Sequence, residues 1–420
     1  MLRLGIDIGT SGVRTAVLEN DTLLSSAKAA HPPQPQTHID ANLWWESVQT
    51  CLHTQMTTLR EIGRDPQEIT GIAVDGTSGS MVLVDRSLNP VSPVLMYNSK
   101  GFDAEAQLIA DCADGDHITK GANSALARAM HLVGLADAQP AHLLHQADFI
   151  TARLLGRSGV SDYNNALKTG FDPETGAWPS WVSEVINPSL LPEVVAPGTA
   201  LGRLSPDIST AFGLSLGTVI SAGTTDSIAA FLAAVPSIEE GIAVTSLGST
   251  LAIKLMSKKR IDDPSIGLYS HRLGENWLVG GASNTGGAVL KHYFDGETLA
   301  KLSATIDPNQ DSGLDYYPLL EPGERFPIND PKLQPRLTPR PQDDTVFLHG
   351  LLESIARIEA DCYNTMVARG SRYPTAIFTA GGGAINETWN QIRARELGMS
   401  PKIAQQTEAA FGVATLIPMQ

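Results

Sequence analysis

Apolar and polar positions alternate at the start of the chain. Leu4, Ile6 and Ile8 interleave with Gly5, Asp7 and Gly9, and a second apolar run covers residues 13–18. This predicts strand, tight turn, strand, with Gly9-Thr10-Ser11-Gly12 as the turn. His31-Pro32-Pro33-Gln34-Pro35-Gln36 reads as a loop, and a helix entered near Asp40 carries Leu43, Trp44, Val48, Cys51 and Leu52 at helical spacing. A buried strand over 71–74 runs into Asp75-Gly76-Thr77-Ser78-Gly79-Ser80, and a further strand covers 81–84. Residues 100–160 read as mostly helical, most clearly over 122–135 and 142–155, and the polar stretch 161–172 reads as a loop. Next comes a buried strand at 218–222, a glycine turn at Gly223, and an apolar helix from Ile228. The opening pattern then returns at 241–255, with Gly248-Ser249-Thr250 in the place of Gly9-Thr10-Ser11. A strand at 277–281 follows, and 304–344, rich in proline and charge, is irregular. The last elements are a helix capped near Asp343 or Asp344, a strand at 376–379, the turn Ala380-Gly381-Gly382-Gly383, and a helix through Trp389 and Ile392.

Two strand–turn–strand units, each opening an α/β segment, imply duplicated domains. Glycines in these turns permit positive φ, and their backbone N–H groups and hydroxyls form a concave anion site. Asp7 stands just before the first turn, where an anion site disfavours a negative charge. It fits there if a cation such as Mg²⁺ stands between, or if it merely caps its own turn. Asp226 also has two readings, as a helix N-cap or as a general base beside a phosphate. The 75–80 cluster sits where open α/β sheets place ligand contacts, at a strand's carboxyl end. The triple glycine at 381–383 allows close backbone approach of a flat ligand such as adenosine. By itself Lys168 reads as a solvated surface lysine, and His142-x-x-His145 as helical surface or packing.

Composition narrows the classes. At 420 residues two domains are expected, and a net charge of −15 disfavours nucleic acid and anionic membranes. Three widely spaced cysteines (Cys51, Cys112, Cys362) suggest buried thiols in a reducing compartment. No secretory leader precedes the first strand, and the apolar run at 228–235 is too short for a bilayer. A cytoplasmic protein is expected.

In this order the motifs resemble the FGGY carbohydrate kinases over essentially the whole chain. Asp7-Ile8-Gly9-Thr10-Ser11, Ala222-Gly223-Thr224-Thr225-Asp226, Gly323-Glu324-Arg325-x-Pro327 and Ala380-Gly381-Gly382-Gly383-x-x-Asn386 carry the likeness, with a signature helix from Phe347 through Glu359. Asp75-Gly76-Thr77-Ser78 stands where xylulose kinases usually carry Gly-Gln-Met-His-Gly, and is more similar to the Asp-Phe-Thr-Ser of ribulokinases. Lys168 falls where ribulokinases place a sugar-binding lysine. The nearest likeness is to the short D-ribulose (xylulose-kinase-like) kinases of cyanobacteria and plants. The family's Lys-x-x-Trp segment is reduced to Arg128-Ala129-Met130-His131, and the chain is shorter than the family's usual length.

The resemblance implies duplicated actin/hexokinase-like (ribonuclease H-like) α/β ATPase domains facing across a cleft. Their implied bounds are 1–233 and 234–406, with a terminal helix at 407–420 returning to the first domain. It implies ATP and Mg²⁺, with Asp226 as general base, Asp7 reaching the metal through water, and Thr10 on the γ-phosphate. Gly9, Thr10, Ser11, Gly248, Ser249, Thr250, Gly381, Gly382, Asn386 and Trp389 would hold nucleotide, with adenine against Trp389. Asp7, Ser78, Lys168 and Asp226 would hold an open-chain ketopentose, D-ribulose first. The alternatives are xylulose or another polyol, or an actin-like ATPase acting as a nucleotide-gated binding protein. A monomer or homodimer with small-molecule partners is expected.

Overall fold

The computed structural model describes residues 1–33, 39–115 and 117–419. The Gln34-Pro35-Gln36 part of the expected loop lies outside them. The chain divides into two compact units, Met1–Ala233 with the segment from Glu408 onward, and Ala234–Thr407.

The first unit carries strands β1 (Leu2–Ile8), β2 (Gly12–Glu19), β3 (Thr22–Ala30), β4 (Ile69–Gly76), β5 (Met81–Val84), β6 (His142–His145), β7 (Val160–Asp162), β8 (Glu193–Val195), β9 (Ala200–Arg203) and β10 (Val219–Thr225). Its main sheet has the order β3-β2-β1-β4-β10-β9. β1, β2 and β3 form an antiparallel meander, whereas β4 runs parallel to β1 and β10 parallel to β4. Three parallel strands thus end on one edge. Leu4, Ile6, Ile8, Val13 and Val17 pack against Trp44, Val48 and Leu52 of the helix Asn42–Glu61, all essentially buried. Each such side chain contributes roughly 1.5–3 kcal/mol, which fixes the hairpin's register.

The second unit carries β11 (Ile242–Leu247), β12 (Leu251–Ser257), β13 (Tyr269–Leu273), β14 (Asn276–Ser283), β15 (Ala376–Ala380) and β16 (Lys402–Ile403), ordered β13-β14-β12-β11-β15-β16. β11, β12 and β14 are antiparallel, and β15 and β16 continue in parallel. The repeat read from the hairpins is therefore a repeat of sheet topology. Helix Asp344–Ala368 buries Phe347, Leu351, Leu352, Ile355 and Ile358 against this sheet's residues.

Two expectations are corrected. The stretch 142–155 is not one helix. His142–His145 is a strand paired with Met81–Val84, and the helix starts only at Gln146. A four-residue apolar run fits either period, and a partner strand decides it. Nor is 161–172 an open loop, because Tyr163–Ala166 is a helical turn followed by a 3₁₀ turn, Leu167–Thr169, and nearly every side chain there is buried. Asp162 makes this possible. Its carboxylate accepts from the Asn164 N–H at 2.8 Å, the Asn165 N–H at 3.2 Å and the Asn165 side-chain amide at 2.6 Å. Among the described residues no helix is long and apolar enough to cross a membrane, and the three cysteines are unbridged.

Candidate active site

Sheet register brings acidic groups together at the carboxyl edge of the first unit. Asp7 on β1 lies opposite Asp75 on β4, and Thr224 on β10 lies opposite Asp75 from the other side. Asp226 then opens the helix Asp226–Ala234, its carboxylate accepting from the Ser227 N–H at 2.6 Å. Asp75 is fully buried, and among the described residues its oxygens meet no donor other than the Asp7 carboxyl. Its neighbour is the Asp7 carboxyl, and two carboxyls can hydrogen-bond only when one holds a proton. Burial, followed by the negative charges of Asp7 and Asp226, holds Asp75 well above the usual carboxylate range. Burial also raises Asp7, against the opposing pull of Asp75 and of Arg14, whose Nη1 lies 3.5 Å away. Sequence reading placed Asp75 in the cluster but gave it no role. Only the register of two strands 68 residues apart makes it a partner of Asp7.

The first hairpin presents Thr10 and Ser11 to solvent, with Gly9 N–H closed onto the Gly12 carbonyl at 2.9 Å. Behind it the His31 Nε2–H donates to the Gly9 carbonyl at 3.0 Å, and burial lowers the pKa of that imidazole.

The 76–80 loop is clamped from two directions. Gln146 Oε1 accepts from the Thr77 N–H at 2.9 Å and the Thr77 hydroxyl at 2.7 Å. Arg128, buried, donates to the carbonyls of Gly79 at 2.5 Å, Tyr97 at 2.8 Å and Asn123 at 3.0 Å. Burial lowers its pKa to about 10. The reduced Arg128–His131 segment thus still shapes this loop. Ser78 Oγ is buried with no partner among the described residues. Lys168 is half-buried rather than a solvated surface lysine. His145 is pushed down to about 4 by burial, then by the positive charges of Arg128 and Lys168, so it is neutral near pH 7. Arg128 and Lys168 thus both act on His145, and Ser78 lies on the loop that Arg128 clamps.

In the second unit Gly248, Ser249 and Thr250 form the corresponding turn. Gly287 and Ala288 donate their N–H groups to the Gly248 and Ser249 carbonyls at 2.9 and 3.0 Å. Buried Glu324 fixes the adjoining loop, accepting from Ser283 Oγ and the Asn284 N–H at 2.6 Å and from Tyr317 OH at 2.8 Å. Gly381 has φ +85°, and a Cβ there would stand 2.6 Å from the Leu247 carbonyl oxygen, so the two turns pack backbone to backbone. Gly381, Gly382, Ser249 and Thr250 are exposed. This surface of glycines and hydroxyls fits phosphate and nucleoside groups.

Asn386 caps the helix Glu387–Leu397 by accepting from the Trp389 N–H at 2.9 Å, and donates to Ser303 Oγ at 3.0 Å. The expectation of Trp389 as an adenine platform is corrected. Its ring is 1% exposed, a Cβ on Gly383 would stand 2.6 Å from it, and its indole N–H donates to the Leu352 carbonyl at 3.0 Å. It supports the glycine turn from within the core. Among the described residues no cluster of three or more His, Cys, Asp or Glu side chains has metal-holding geometry. The Asp7–Asp75 pair fits a cation held mostly by phosphate and water rather than by a protein cage.

Comparison with known proteins bears on this geometry. Residues 2–233 match the model of the FGGY family of carbohydrate kinases, N-terminal domain, and residues 243–418 match that of its C-terminal domain. The xylulose kinase of Streptomyces coelicolor is 25% identical, the match covering 98% of this chain and 86% of the relative. The gluconokinase of Bacillus subtilis is 23% identical over 93% of this chain and 81% of its own length. Among solved structures, xylulose kinase from Rhodospirillum rubrum shares the fold with a TM-score of 0.85 at 22% identity, covering 99% of this chain and 89% of that one.

Proposed function

The chain belongs to the FGGY family of carbohydrate kinases, and from that premise we propose that it phosphorylates the terminal hydroxyl of a ketopentose from ATP, foremost D-ribulose to D-ribulose 5-phosphate. The observation that carries this reading is the placement of Asp226 beside Asp7 and Asp75 at one sheet edge. Asp226 accepts the proton of the sugar hydroxyl as it attacks, and Thr10 donates to the γ-phosphate. Gly9 and Ser11 border that phosphate. In the second unit Gly248, Ser249, Thr250, Gly381 and Gly382 bind nucleotide through backbone N–H groups and hydroxyls, with Asn386 shaping their edge. Asp7 would hold a hydrated Mg²⁺, which when bound neutralises phosphate charge in a loose transition state.

Ser78 and Lys168 contact the sugar. Support for ribulose comes from Asp75-Gly76-Thr77-Ser78, whose pattern resembles that of ribulokinases, and from the half-buried Lys168. Xylulose is the second reading, favoured by the number of similar proteins named xylulose kinase. A coupled ADP-release assay with Mg-ATP and ribulose, xylulose, ribitol, arabitol, glycerol or no sugar separates them. Stimulation greatest with ribulose is expected. Greatest stimulation by xylulose would overturn the sugar assignment, and a slow rate indifferent to every sugar would overturn kinase activity itself.

A further inference from the structure

We propose that Gln146 is a sugar-contacting residue that sets acceptor specificity by donating from its side-chain amide to an oxygen of the open-chain sugar. The inference rests on the sugar-kinase reading and goes beyond it. Gln146 is fully buried at the start of the helix Gln146–Leu155. Its amide orientation is settled by chemistry. The Thr77 backbone N–H, 2.9 Å away, can only donate, so the atom facing it is the carbonyl oxygen Oε1. Oε1 also takes the Thr77 hydroxyl, and that oxygen is then fully used. The Nε2 amide carries two N–H donors, and neither meets an acceptor among the described residues.

A buried primary amide with half its groups satisfied and half orphaned is costly unless something else supplies the acceptor. The orphaned groups cluster. Ser78 Oγ, next in sequence to the clamped Thr77, is also buried with no partner among the described residues, and His145 lies beside Gln146. His145 is neutral and interacts with Lys168. Gln146, Ser78 and His145 are uncharged and offer donors and acceptors in mixture, which matches a ligand rich in hydroxyls. Gln146 also ties sugar binding to loop order. One face of its amide fixes Thr77, and the other would receive the sugar.

The test compares Gln146→Met with the wild type using the best sugar and its analogues lacking one hydroxyl or with the carbonyl reduced. Thr77→Val, which weakens the clamp but keeps the amide, serves as control. Gln146→Met is expected to raise the sugar KM about tenfold, as for a lost hydrogen bond, with the ATP KM unchanged. One analogue should lose its discrimination, the variant and wild type handling it alike. Where Gln146→Met does not fold, Gln146→Asn withdraws the amide by one methylene and carries the same test. Equal losses with every analogue, or equal shifts in the sugar and ATP KM values, would overturn the contact and leave Gln146 a loop clamp. Sugar-independent ADP release by the wild type would instead overturn the kinase reading.

Discussion

The two sheets share a strand order but differ in what stands at their carboxyl edges. In the first unit Asp7 faces Asp75, and among the described residues the buried Asp75 meets no donor but the Asp7 carboxyl. In the second, Ser246 faces Ala380 at the matching place before the glycine turn. One step deeper, Thr245 and Thr379 join a closed network with the fully buried pair Glu359 and Arg393. There Thr245 donates to Glu359 at 2.6 Å, Arg393 reaches Glu359 at 2.7 and 2.8 Å, and Arg393 also donates to Thr379 at 2.9 Å. One duplicated frame thus holds a satisfied polar core in one copy and an unsatisfied acidic edge in the other. Satisfied charges rigidify a scaffold, whereas unsatisfied ones are poised for a ligand. On the proposed reading the difference divides labour: chemistry in the first unit, nucleotide grip in the second.

Breaking the closed network should have the largest effect on stability. Arg393→Met strands a buried carboxylate, and the expected loss is about 3–5 kcal/mol in unfolding free energy, read by denaturant titration. A loss under about 1 kcal/mol would mean that the network contributes little.

The acidic side of the first unit should answer to pH. Burial raises Asp162 to about 6 despite the N–H groups it accepts. Between the unfolded value near 3.8 and about 6 the folded chain keeps a proton that the unfolded chain releases, so stability falls as pH rises through that window. Asp162→Asn keeps the capping oxygen without the titration. Relative to wild type it should gain up to about 3 kcal/mol between pH 4 and 7, measured by denaturant melts. Parallel pH profiles for the two proteins would contradict this.

A smaller effect is expected at the nucleotide turn. Gly381→Ala forces a Cβ toward the Leu247 carbonyl at positive φ, and should cost about 1–3 kcal/mol, seen as weaker ATP binding by calorimetry with little change in sugar KM. Unchanged ATP affinity would remove this turn from the nucleotide site.

Much of this frame was legible in the chain. The two hairpins, their glycine turns and the strand preceding Asp226 are local patterns, written in contiguous residues. What escaped was set by tertiary pairing. Asp75 gains its meaning from register with Asp7, and the 142–145 segment became a strand because Met81–Val84 lies beside it. Trp389 sits next to a glycine turn, but helical spacing carries its ring into the core with Ile392. The polar stretch 161–172 is buried because Asp162 accepts from the Asn164 and Asn165 N–H groups and from the Asn165 side chain, and Asn164 donates to Thr224 on β10, which composition alone does not reveal.

The division of labour is tested most directly by Asp226→Ala, with sugar-dependent ADP release and ATP affinity measured on the same preparation. The account predicts that turnover falls about 100-fold or more while the Kd for ATP stays within about twofold. Retained turnover, or loss of ATP binding in step with turnover, would contradict it.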